Sequence, residues 1–322
     1  MKSQILDLNL PNNIHIPAEK AEGFLWGGRE TGIRWLAKLP ALVESICQKH
    51  NITDLSPAAE MRMNPVLFGE SATLGALVIK LAQPHPEIVS EFNMAIYVSG
   101  HGYPRVLDHD AHAAWLLMER VKPGVTMQNL SQTGGITDEA ATVAAARLMR
   151  ESRIPVPADH QFPTLERWLK SLFEYRDRHG ANGPLPDEQI DLALRHAQWL
   201  LNEPLEHFLL HGDFHHGNII EGEHGWMLID PKGLVGPTAF EVGPFFYNPL
   251  GLDKQQSLPE IFTNRLATFS EILGIDRVGL WKAIYVAVVL SDCWNVEDNP
   301  EADYTHHNTI TRALLELPEA SL

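Results

Sequence analysis

The sequence predicts an α+β fold of two lobes, a small sheet-containing N-terminal lobe and a larger, mostly helical C-terminal lobe. Three observations predict it. Short apolar runs of strand length crowd between residues 66 and 118. Beyond Gly124 the apolar residues recur mostly at helical spacing, and one loop rich in His, Gly and Asp, at 209–230, interrupts them.

Taken in order, Ile33, Leu36, Leu39, Val43 and Ile46 follow a helical period that Pro40 interrupts with a kink or a new helix start. Val66–Phe68 and Gly75–Ile79 read as a hairpin joined through Gly69–Thr73. Pro84-His85-Pro86 opens a helix to about Tyr97, and strands follow near Arg105–Leu107 and Ala113–Met118. The Pro123-Gly124 pair marks the lobe boundary, giving an N-terminal lobe 1–120, a C-terminal lobe 121–322 and a hinge at about 119–124. Helices are then expected near 126–152, 164–179, 187–203, 255–273, 276–296 and 303–317. Asn218–Ile220 and Trp226–Ile229 flank Glu221-Gly222-Glu223-His224-Gly225 as a second hairpin.

Twenty-five basic against 41 acidic residues leave a net charge of −16 over 322 positions, which argues against a nucleic-acid partner. The strongly apolar run Ala283–Leu290 is far short of the roughly 20 residues a membrane span requires. Two cysteines, Cys47 and Cys293, and an N-terminus without a signal-like apolar stretch fit a reducing, cytoplasmic setting. Nothing in the composition fixes an oligomeric state.

The chemistry concentrates in Leu210-His211-Gly212-Asp213-Phe214-His215-His216-Gly217-Asn218 and in Ile229-Asp230-Pro231-Lys232-Gly233. Phosphoryl transfer needs a carboxylate to orient the attacking hydroxyl and oxygen ligands to hold Mg²⁺ against the phosphates. Asp213, with Asn218 and Asp230, supplies one aligning base and two hard-metal ligands, in the order protein kinases use. Asp and Asn also abound in turns for purely local reasons. The combination with His211 and the hairpin-delivered Asp230 favours the catalytic reading.

A catalytic loop of this kind requires a lysine on an upstream strand and a glutamate on the next helix. Lys80 ends an apolar strand and Glu91 lies within the following helix; Glu87, one turn earlier, is the rival partner. The segment Gly69–Gly75 would cover the phosphates, although it lacks a G-x-G-x-x-G spacing.

Two other function classes compete. His207, His211, His215 and His216 with Asp213 could form the metal site of a hydrolase, but Gly212 and Gly217 break any helix that would align them, and no H-E-x-x-H occurs. An inactive kinase-like binding module is the other, and the retained Asp213, Asn218 and Asp230 argue against it.

Those two motifs, with Phe240-Glu241-Val242-Gly243 and Asn248-Pro249, resemble the aminoglycoside phosphotransferase superfamily, and within it the streptomycin-kinase-like aminoglycoside/hydroxyurea resistance kinases. Leu117–Gly124 is similar to that family's inter-lobe linker, and Trp294 with Glu297-Asp298 to its tryptophan-acidic segment. The resemblance runs from about Pro65 to the C-terminus and implies a protein-kinase-like fold that uses ATP and Mg²⁺. It implies Asp213 as catalytic base, Asn218 and Asp230 as Mg²⁺ ligands, Lys80 on the ATP phosphates steadied by Glu91, and backbone groups near Glu119 and Val121 reading adenine. His211 is then a loop-orienting residue, Glu241 a support for the loop, and Lys232 either a phosphate neutraliser or a partner of Glu241. Asp292, Glu297, Asp298, Glu301 and Asp303 would border the acceptor site, drawing a small, hydroxylated, cationic molecule, streptomycin-like or hydroxyurea-like.

Overall fold

The structure, a computed structural model, describes residues 7–25, 28–59, 61, 63–180, 183–249, 257–299, 301 and 304–317. The chain divides into two compact units, Met1–Gly124 and Val125–Leu322.

In the first unit, strands β1 (Leu8–Leu10) and β2 (Ile14–Ile16) pair as a hairpin, followed by helices at Arg29–Leu36 and Leu39–His50. Pro40 sits in the first turn of the second helix, where its missing N–H costs nothing, so it marks a new start. An antiparallel sheet in the order β3-β4-β5-β7-β6 comes next, from β3 (Ile52–Pro57), β4 (Val66–Ser71), β5 (Gly75–Leu81), β6 (Val106–Asp110) and β7 (Trp115–Glu119).

Two-residue periodicity gives this sheet two different faces. Leu67, Leu77, Ile79 and Leu81 join Leu8, Ile16, Phe24, Leu39 and Val43 in one core, so the stretch that carries no motif contributes apolar residues from Leu8 to Leu55 to one face of the unit. The opposite face takes Ile88 and Phe92 of the helix Pro86–Tyr97 against Leu116.

The expected phosphate-covering loop is shorter than its sequence suggests. The hairpin strands run to Ser71 and resume at Gly75. Gly69 lies inside β4 opposite Leu77, where an added Cβ would come within 2.6 Å of Ile52 Cγ2, so packing of β3 accounts for this glycine.

Two three-stranded sheets follow along the chain, β13-β10-β9 and β12-β11-β8. Their strands are β8 (Pro123–Thr126), β9 (Ile154–Pro155), β10 (His207–Leu210), β11 (Ile219–Gly222), β12 (Gly225–Leu228) and β13 (Leu234–Pro237). Pro123-Gly124, expected as punctuation, therefore opens a strand; a Pro is tolerated as a strand's first residue. The stretch 126–152 is two helices, Met127–Thr133 and Asp138–Glu151, divided at Gly134, whose φ of +75° ends the first. The stretch 164–179 is three short turns, Leu165–Trp168, Lys170–Phe173 and Tyr175–His179, rather than one helix.

At the centre runs Arg277–Asp298, where every residue from Ala283 to Leu290 is buried. A helix apolar on all sides must be surrounded. Helices Asp187–Asn202, Leu258–Leu273 and Thr305–Leu315 pack around it, so the run Ala283–Leu290 is a core helix. No helix among the described residues is long and apolar enough to cross a membrane.

Candidate active site

In the first unit Lys80 lies between Val66 and Leu116 in the sheet register, on the face opposite the Ile79 core. Its ammonium Nζ is 3.8 Å from Glu91 Oε2, and both side chains are buried. A buried ammonium needs such a countercharge. Glu91 rather than the exposed Glu87 takes that place, because it sits on the inward face of its helix with Ile88 and Phe92. Glu119 ends β7 and donates its N–H to the Arg105 carbonyl at 2.9 Å. Its carboxylate accepts from Arg105 N–H at 2.9 Å and Nε at 2.7 Å, so that N–H is committed within the sheet. Near Val121, Gly124 adopts a φ of +71°, and a Cβ there would lie 2.7 Å from the Val121 carbonyl oxygen.

In the second unit the loop after β10 is built by backbone bonds that its own side chains terminate. His211 Nε2 meets the Ile229 carbonyl at 2.8 Å, and His211 Nδ1 accepts the Asp213 N–H at 3.1 Å. An acceptor Nδ1 fixes the proton on Nε2, and burial pushes the imidazole down to about pKa 4, so the ring is neutral. With both nitrogens committed, His211 cannot ligate a metal. Among the described residues no three or more His, Cys, Asp and Glu converge as a metal site, which does not favour the hydrolase arrangement.

Gly212, at φ +83°, donates its N–H to Glu241 Oε1 at 2.9 Å. A Cβ there would lie 2.9 Å from Trp168 Cη2, so only glycine fits beneath that ring. Glu241 is buried; desolvation pushes its carboxyl up to about 8, against the pull of the Gly212 and His211 N–H groups. The Lys232 and Gly233 N–H groups both donate to the His211 carbonyl, at 2.7 and 3.2 Å, which ties the two motifs together.

Asp213 keeps 35% of its side chain exposed, enough to meet a substrate hydroxyl. Burial would raise its carboxyl, but the His215 ring, then His211 and Lys232, outweigh it and hold the group down at about 2. It is an ionised acceptor at neutral pH. Asn218 Nδ2 donates to the Asp213 carbonyl at 2.9 Å and to Oδ2 at 3.2 Å.

The β11–β12 register sets Asn218 opposite Ile229, whose N–H donates to the Asn218 carbonyl at 2.9 Å, so Asp230 falls one step beyond, at the same open end of the hairpin. Asp230 is exposed and holds a left-handed backbone at φ +58°, a conformation a non-glycine residue keeps only where its surroundings impose it. With Nδ2 committed to Asp213, Asn218 has its amide oxygen to offer beside the Asp230 carboxylate. Two hard oxygens at one hairpin end suit Mg²⁺.

Of the acidic group expected at the acceptor site, Asp292 lies inside and Glu297 at the surface. Asp292 is buried and accepts from Gln189 Nε2 at 3.1 Å and Thr311 Oγ1 at 3.4 Å. Glu297 is paired with Arg178 and accepts from Ser171 Oγ at 3.3 Å. Asp298 and Glu301 are exposed, and Asp303 lies outside the described residues. Five positions along a helix turn about 140°, so Asp292 and Glu297 cannot share a face.

Sequence reasoning missed the supports behind the loop. The His216 ring stacks on Phe245 with centroids 3.9 Å apart, and the fully buried Arg265 guanidinium lies 4.8 Å from the same ring. Arg265 is bonded to Asp138 and to the Phe245 and Asn248 carbonyls. Trp168, over Gly212, meets Trp294 edge to face at 5.3 Å. These partners are remote in sequence, and no local pattern marks them.

A sequence model of the aminoglycoside/hydroxyurea antibiotic resistance kinase family matches residues 60–299. The chain is 27% identical to a streptomycin 6-kinase of Streptomyces glaucescens, over 94% of this chain and 97% of that one. It is also 27% identical to a hydroxyurea phosphotransferase of Kitasatospora aureofaciens, over 90% and 82%. Among solved structures, a thermostable mutant of an aminoglycoside phosphotransferase, in ternary complex with ADP and hygromycin B, matches with a TM-score of 0.58 at 15% identity. That match covers 84% of this chain and 97% of the other, and it carries the protein-kinase-like α+β fold. The loop geometry, the fold and the match over 60–299 agree: the chain belongs to the aminoglycoside/hydroxyurea antibiotic resistance kinase family, and is a phosphotransferase.

Proposed function

We propose that this chain transfers the γ-phosphoryl group of ATP to a hydroxyl of a small acceptor of the streptomycin or hydroxyurea type. The observation that carries the reading is the Asp213 carboxylate, ionised, part-exposed and held by Asn218 in a loop braced by His211 and Glu241. Family membership and the relatives named for streptomycin and hydroxyurea support the acceptor class. The ADP in the solved relative supports the nucleotide.

Asp213 orients the acceptor hydroxyl and takes its proton late, when the oxygen is already bonding to phosphorus. Lys80, steadied by Glu91, binds the ATP phosphates. Asn218 and Asp230 would hold Mg²⁺, which when bound offsets the charge of the phosphate oxygens. The carbonyl of Glu119 and the backbone near Val121 would engage the base. Lys232, whose field reaches Asp213, adds positive charge beside the transferring group.

Mg²⁺-dependent ADP release, measured with streptomycin, hydroxyurea and other hydroxylated amines as acceptors, tests the reading. Acceptor-stimulated turnover that vanishes in Asp213→Ala supports it. A chain that neither releases ADP nor gains thermal stability from Mg·ATP would overturn it.

A further inference from the structure

Two contacts place the His215 ring. Its Nδ1 accepts the Gly217 N–H at 3.0 Å, and a ring nitrogen that accepts an N–H carries no proton of its own. The neutral ring therefore holds its proton on Nε2, which stands 3.6 Å from Asp213 Oδ1. The backbone closes around this arrangement. Asn218 N–H donates to the His215 carbonyl at 2.9 Å, and a Cβ on Gly217 would come within 2.8 Å of His215 Cε1. Gly217 thus leaves the space the ring fills, and the ring cannot turn without giving up its bond to Gly217.

The other carboxylate oxygen, Asp213 Oδ2, accepts from Asn218 Nδ2 at 3.2 Å. At 3.6 Å the Nε2 contact exceeds hydrogen-bond length, and such bonds are commonly long in substrate-free enzymes and shorten when substrate packs in.

We infer that His215 is a positioning residue for phosphoryl transfer: its Nε2–H closes on Asp213 Oδ1 and, with Asn218 on Oδ2, fixes the plane of the carboxylate that receives the acceptor hydroxyl. The inference rests on the proposed reading of Asp213. A carboxylate has a broad, soft final torsion, so one donor on each oxygen is what converts a mobile group into an oriented one. His215 moves no proton in this role. Its Nδ1 is engaged and its Nε2 already protonated, so the proton leaving the acceptor hydroxyl passes to Asp213 as the new O–P bond forms and the bond from the γ-phosphorus to the leaving oxygen of ADP breaks.

Two amide substitutions separate this role from a loop-building one. In His215→Asn the side chain can still accept the Gly217 N–H but is too short to reach Asp213. In His215→Gln the amide N–H reaches Asp213 and gives up Gly217. Steady-state kcat and KM for Mg·ATP and acceptor are measured for both, beside their melting temperatures. The expected result is that His215→Asn melts with the wild type and keeps its KM for Mg·ATP while kcat falls about ten- to a hundredfold. His215→Gln, even if less stable, should retain several-fold more kcat per folded molecule than His215→Asn. Wild-type kcat in His215→Asn, or a lower kcat in His215→Gln than in His215→Asn, would show that the ring serves the turn alone and overturn the inference. A wild-type chain with no turnover on any acceptor and no thermal stabilisation by Mg·ATP would instead remove the reading of Asp213, and this inference with it.

Discussion

Gly212 gives its backbone N–H to a side-chain carboxyl 29 positions downstream, Glu241 Oε1, at 2.9 Å, so the residue before Asp213 is held by a buried acid. Desolvation keeps that acid protonated up to about pH 8, while its unfolded counterpart ionises near the ordinary glutamate value. A folded pKa raised in this way contributes stability that is complete below the unfolded value and is lost as pH rises through the folded one. Between about pH 4.5 and 8 the wild type should therefore lose stability relative to Glu241→Gln, which still accepts the Gly212 N–H but cannot ionise. Urea unfolding at pH 5, 6.5 and 8 checks it; parallel pH curves for the two proteins would contradict it.

Removing the acceptor altogether has a different signature. Glu241→Ala strands buried N–H groups and should cost about 1–3 kcal/mol at any pH, with a fall in kcat as the loop before Asp213 loosens. Denaturant midpoints and kcat, compared with those of Glu241→Gln, separate the two effects.

Asp213 and Asp230 should fail differently. Asp213→Ala should lower turnover by about 10²- to 10⁴-fold while leaving Mg·ATP affinity near wild type. Asp230→Ala should weaken Mg·ATP binding itself. Calorimetric titration with a non-hydrolysable nucleotide tells them apart, and equal affinities in both variants would contradict the assigned roles.

Lys80 and Glu91 are side chains only 7% and 8% exposed, so breaking the pair removes a close countercharge from a buried group. Lys80→Met should destabilise the chain by about 3–5 kcal/mol. The double variant Lys80→Met/Glu91→Leu should regain most of that stability without regaining nucleotide affinity. Unfolding and nucleotide titration of the three proteins measure both halves; a double variant that binds nucleotide normally would reject the phosphate role of Lys80.

Arg265 has no exposed surface and links Asp138 at the start of one helix to the Phe245 ring on which His216 stacks. Arg265→Met should cost about 3–5 kcal/mol, because it strips the charge partner from Asp138 and the donors from two carbonyls. The loss should be smaller in Arg265→Met/Asp138→Leu, read by urea unfolding.

The proposed site was legible because it is local. Asp213, Asn218 and Asp230 lie on one loop and one hairpin, and the Glu221–Gly225 turn delivers Asp230 by short-range pairing alone. Lys80 and Glu91 were legible for the same reason, since strand alternation and helical period assign each a face before any tertiary contact forms. Tertiary structure decided what a residue's period leaves open, namely which distant element covers a face. It turned Asp292 inward onto Gln189 and Thr311 and paired the exposed Glu297 with Arg178, so Asp292 stands apart from the acidic surface expected at the acceptor site. It gave the motif-free N-terminal stretch a core face and set Trp168 over Gly212. Burial and hydrogen-bond partners are properties of chain segments brought together from afar, and a sequence carries them only through the fold they make.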